Sequence, residues 1–165
     1  MERMVSDKHR YIIGVIASIL LGLIFVLSGI GKLFANLPTE TNFIENLSPI
    51  FRMNIPFIDW IPYILPWAEV LLGLCLLLQL WTPIIVIFFC VPLITCFLLN
   101  NYWMIISGMQ FNECNNCFGI FESVIKLSPQ AAFGVDIFMF LLCCIIAFVN
   151  QNYPILYGVV NGKEK

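Results

Sequence analysis

Hydrophobic positions in this chain do not alternate with polar ones; they run together in four blocks, 11–30, 64–81, 84–106 and 131–149. A helix needs about 20 apolar residues to cross roughly 30 Å of hydrocarbon, and each block is near that length. Membrane β-strands would appear as much shorter alternating runs. Lipid offers no partner to an exposed backbone amide, so segments of this kind must satisfy their hydrogen bonds internally. The pattern therefore predicts an all-α integral membrane four-helix bundle with antiparallel transmembrane helices. The spans are placed at about 11–31, 64–81, 84–106 and 130–150, within a single transmembrane domain covering 1–165.

Breakers and small residues refine the picture. Gly14, Ser18 and Gly22 recur every four residues in the first block, a stripe that lets another helix approach closely. The first block is too long for a signal peptide and lacks a small-x-small cleavage site, so it is read as retained. The second helix is expected to begin after Pro62 and Pro66, and Thr82-Pro83 starts the third after a connection that suits only an antiparallel neighbour. Pro92 falls inside the third helix, removes one backbone donor and predicts a kink. Ser128-Pro129 reads as an N-cap followed by a first-turn proline.

Composition agrees: 61% of the residues are hydrophobic and 11% charged, outside the range of soluble domains. A net charge of −2 without a basic stripe gives nothing that would hold nucleic acid. Arg3, Lys8, Arg10, Lys163 and Lys165 flank the side shared by both termini, against Lys32, Arg52 and Lys126 on the other. By the positive-inside rule both termini are cytoplasmic and the first and third loops face outward. In the long first loop, Phe43, Ile44, Leu47, Ile50 and Phe51 behind Asn42 suggest a short interfacial helix. Trp60, Tyr63 and Trp67 suit an aromatic belt at the same surface.

Three ionisable residues fall at the outward ends of helices: Lys32, Glu69 and Asp136. Charges in spanning segments are costly and usually pair or line a polar cavity, which makes a single outer cluster more economical than three isolated charges. Lys32 opposite Glu69 is the expected pair, the alternative being that Lys32 snorkels to lipid headgroups.

Cys114 and Cys117, in Glu113-Cys-Asn-Asn-Cys-Phe-Gly119, lie in the outward third loop. Two intervening residues let the sulfurs meet, and such a pair can exchange with a partner's disulfide or can simply staple the loop. Glu113 disfavours an acidic thiol. No metal is expected here, because zinc would need two further ligands and the single histidine, His9, lies on the opposite side. Cys75, Cys90, Cys96, Cys143 and Cys144 lie inside helices, where cysteine packs as a small apolar residue. Cys75, Cys96 and Cys143 are expected at comparable depth.

Three segments carry a family resemblance: Ser28-Gly-Ile-Gly-Lys32-Leu33, Leu65-Pro66-Trp-Ala-Glu69-Val-Leu-Leu-Gly73-Leu, and Cys117-Phe-Gly119. With these the chain resembles the methylamine utilisation protein MauE family, within the DoxX-like four-helix membrane proteins. Its pattern differs in one respect, since the family often has a single residue between the two cysteines and this chain has Asn115 and Asn116. The resemblance implies a redox-associated protein of a bacterial inner membrane, linked to maturation of a disulfide-rich exported partner, with a quinone as electron acceptor. Cys114 and Cys117 would exchange thiols and Lys32, Glu69 and Asp136 would tune the outer mouth, as in a thiol-disulfide oxidoreductase. Two other readings stay open: a non-catalytic assembly or accessory subunit, and a small ion-coupled transporter using Glu69 or Asp136.

Overall fold

The computed structural model describes residues 2–34, 60–106 and 128–150, all helical apart from short turns and caps. Helix α1 is Glu2–Phe34 and α2 is Ile61–Leu77. Helix α3 runs through three consecutive stretches, Thr82–Ile85, Val86–Cys90 and Val91–Ile106, and α4 is Pro129–Asn150. Among the described residues, His9–Phe34, Thr82–Trp103 and Gln130–Val149 are long and apolar enough to cross a membrane, and Tyr63–Leu77 is a shorter apolar helix. The four pack as an antiparallel bundle. The interfacial helix expected around Phe43 to Phe51 lies outside the described residues.

The surface is inverted relative to a soluble protein. Leu23, Leu27, Phe88, Leu99, Phe138 and Phe148 point outward, while Ser18, Ser28, Lys32, Glu69, Asn101 and Asp136 are buried. Lipid is the solvent that makes this arrangement stable, because it accepts large apolar side chains and rejects charge. Trp60, Tyr63 and Trp67 are exposed around the start of α2, as an aromatic belt requires.

The helix pair α1–α2 is set by glycine. A Cβ on Gly73 would lie 2.7 Å from the backbone oxygen of Gly22, and one on Gly22 would lie 2.9 Å from that of Gly73. Further along, a Cβ on Gly29 would sit 2.7 Å from the Pro66 oxygen. Only hydrogen fits at these positions, so the two backbones come into near contact. Ser18 adds a bond across the same seam, its hydroxyl donating to the Leu76 carbonyl at 3.1 Å. Gly14 does not join that seam; it faces Val149 of α4. The small-residue stripe thus serves two neighbours.

Three boundaries differ from expectation. Helix α1 starts at Glu2 rather than near residue 11, since Glu, Arg, Met and Lys favour helix well before the apolar block begins. Helix α2 starts at Ile61 and stops at Leu77, short of residue 81. Gln79 and Trp81 take positive φ of 55° and 44°, and the Leu80 N–H reaches back to the Cys75 carbonyl at 2.9 Å, closing the helix as glycine usually does. No glycine marks this stop, so the hydrophobic run conceals it.

In α3 the disturbance predicted at Pro92 appears one turn earlier, as a π-helical turn over Val86–Cys90. The Val91 N–H bonds to the Val86 carbonyl, five residues back. Proline clashes with the carbonyl four residues before it, and widening the preceding turn relieves that clash without breaking the helix. Cys90 and Cys143 are fully buried in the core beside the partly buried Cys75, whereas Cys96 is exposed. Cys96 therefore does not join Cys75 and Cys143 in the core, whereas Cys90 does.

Candidate functional site

The α1–α2 seam places its last polar contact at one end of the bundle. Gly29 lies against Pro66 and Val70, so Lys32, about one turn further on, comes level with Glu69, about one turn before Gly73. Lys32 Nζ stands 2.6 Å from Glu69 Oε1, and the Ser28 hydroxyl donates to Glu69 Oε2 at 3.0 Å. Glu69 is wholly buried and Lys32 is 8% exposed. The expected pair is thus formed, in the interior rather than at the headgroups. Both carboxylate oxygens receive a donor, which is the condition under which a buried ion pair is tolerated. The ammonium also lies 5.0 Å from the centre of the Phe97 ring on α3, within cation–π range.

The second half of the cluster joins α3 to α4. Asn101 Nδ2 donates to Asp136 Oδ2 at 2.6 Å, and both residues are buried. Next to Asn101 along α3, the Tyr102 ring packs with that of Phe133, one turn before Asp136 on α4, at 6.4 Å between centroids. Lys32 and Glu69 are both close enough to act electrostatically on Asp136. Each of the four helices therefore contributes at least one member to one polar group. The start of α4 is fixed as its sequence implies, with the Ser128 hydroxyl accepting from the Ala131 N–H at 3.1 Å, so that Asp136 falls two turns in.

Of the residues singled out by sequence, Lys32, Glu69 and Asp136 come together, while Cys114 and Cys117 lie outside the described residues. Ser28 and Asn101 belong to the cluster without having been singled out as members. Their signal was a polar side chain inside an apolar block; Ser28 even stands in the Ser28-Gly-Ile-Gly-Lys32 segment, yet its bond to Glu69 depends on the helix seam. Residues 107–127, which carry both cysteines, follow the end of α3 at Ile106, a little over one turn past Asn101, and precede the start of α4 at Pro129, two turns before Asp136. Both of these helix ends thus lie at the cluster's end of the bundle.

Neither a curated protein nor a solved structure matches the chain. The model of the family described as methylamine utilisation protein MauE matches residues 10–149, from the apolar part of α1 to the last turn of α4 and across the whole buried cluster. On that match, covering most of its length, the chain belongs to the MauE family of membrane proteins.

Proposed function

We propose that this protein supports thiol–disulfide exchange at the outer side of a bacterial inner membrane, assisting oxidative maturation of an exported partner. The observation that carries this reading is the buried cluster of Lys32, Glu69, Asn101 and Asp136 at the end of the bundle where residues 107–127, which include Cys114 and Cys117, follow α3 and precede α4 in sequence. Burying three ionisable groups is expensive, and such groups in spanning helices usually mark a working site. A dithiol in the segment between α3 and α4 would supply the chemistry, and MauE membership supplies the setting of methylamine utilisation.

In the proposed exchange, a partner thiolate attacks the Cys114–Cys117 disulfide and forms a mixed disulfide. The second partner thiol then resolves it, so that the partner leaves oxidised and Cys114 and Cys117 are left as thiols. A membrane quinone, accepting two electrons and two protons, would restore the disulfide. With both termini in the cytoplasm, the loop faces the compartment in which disulfides persist.

The test is trapping. Cys114→Ser and Cys117→Ser are made singly in cells that express the partner, and membranes are run without and with reductant. Exchange is reversible, so in Cys117→Ser the remaining Cys114 thiolate attacks the oxidised partner's disulfide, and without Cys117, assigned the resolving role in that direction, the mixed disulfide persists as a reductant-sensitive covalent adduct. If neither traps an adduct and each lowers thermal stability, the pair is a staple and the protein is an accessory subunit.

A further inference from the structure

The two carboxylates of the buried cluster are held in opposite ways. Glu69 has a donor on each oxygen, the Lys32 ammonium and the Ser28 hydroxyl, which suits an ionised group. Asp136 receives Asn101 Nδ2 on Oδ2. With Asp136 ionised this orientation of the amide is obligatory, because turning it over would set Asn101 Oδ1 against a carboxylate oxygen. Asn101 Oδ1 is then a buried acceptor with no donor. Leaving such a buried acceptor without a donor is destabilising. The other buried side-chain atom left without a partner among the described residues, Thr82 Oγ1, lies at the far end of the bundle.

Charge gives an independent argument. Among the described residues, Lys32 from α1, Glu69 from α2 and Asp136 from α4 are charged groups that meet here, and α3 brings the neutral Asn101 and the Phe97 ring. With all three ionised these residues sum to one negative charge in a low-dielectric bundle, which is a costly state. A water could satisfy Asn101 Oδ1 but would leave that charge. A metal ion would need more oxygens than Asp136 and Asn101 offer, since those of Glu69 are taken. One proton answers both needs.

We propose that Asp136 and Asn101 form a proton-binding site. The un-ionised Asp136 carboxyl donates from Oδ1 to Asn101 Oδ1 while Asn101 Nδ2 donates to Asp136 Oδ2, closing an acid–amide ring. Asn101 is its positioning residue. The Lys32–Glu69 pair stays balanced while the proton is bound, and its loss leaves one cation between two carboxylates. This proposal stands apart from the thiol chemistry and survives if the cysteine pair is only a staple. A bound, exchangeable proton at this end of the bundle is what either a redox protein or an ion-coupled one can use.

Infrared spectroscopy of the full chain in lipid at neutral pH tests it, with and without aspartate carrying carbon-13 in its carboxyl. The expected result is a carbonyl band of an un-ionised carboxyl that moves on labelling, moves again in heavy water and is lost in Asp136→Asn. Asn101→Leu is expected to shift that band to higher frequency, because the carbonyl loses its hydrogen bond. The absence of an isotope-sensitive band, its survival in Asp136→Asn, or an unmoved frequency in Asn101→Leu would each overturn the proposal. Should Asp136→Asn not fold, the labelled wild-type spectrum still decides whether an aspartate holds the proton.

Discussion

Gly22 and Gly73 meet backbone to backbone across α1 and α2, and this contact sets where Lys32 and Glu69 face each other further along the same seam. Gly73→Ala would place a Cβ 2.7 Å from both the Gly22 oxygen and a Val26 methyl, an overlap that only helix separation relieves. The expected cost is about 1–3 kcal/mol, as for other overpacked interiors. Thermal unfolding in detergent measures it, and wild-type stability in Gly73→Ala would show that the seam is looser than drawn.

The ion pair itself is tested by a double-mutant cycle. Glu69→Gln removes the charge that Lys32 meets at 2.6 Å, and losing one partner of a buried pair costs on the order of 3 kcal/mol. Combining it with Lys32→Met is expected to recover part of that loss, because no buried ammonium then remains. Simple additivity of the two changes would mean that the pair is not energetically coupled.

Orientation is checked chemically. After reduction of intact cells, a membrane-impermeant thiol reagent is expected to label Cys117, with the site read by peptide mapping. Labelling that appears only after permeabilisation would invert the topology drawn from the positive-inside rule.

Neighbouring cysteines on α4 are expected to behave differently. Cys143 is fully buried in the core and Cys144 faces outward, so Cys143→Ala leaves a void where Cys144→Ala leaves none. A loss of about 1 kcal/mol is expected at the first position and little change at the second. Equal stabilities in thermal unfolding would contradict this packing.

Much of the architecture is legible in one dimension. Blocks of apolar residues announce helices because a backbone in lipid has few other solutions, and Ser128-Pro129 announces the start of α4 because the cap is a local hydrogen bond. Lys32, Glu69 and Asp136 could be grouped from sequence, since charge inside an apolar block is costly wherever it falls. The end of α2 could not, because Gln79 and Trp81 adopt left-handed backbone without the glycine that usually signals it. Nor could the roles of Ser28 and Asn101 be read, nor the exposure of Cys96 against the burial of Cys90. Those depend on how each helix is rotated and how closely its neighbours approach. Backbone contact at Gly22 and Gly73 and the widened turn before Pro92 shape that approach and rotation, and they exist only when the helices are packed.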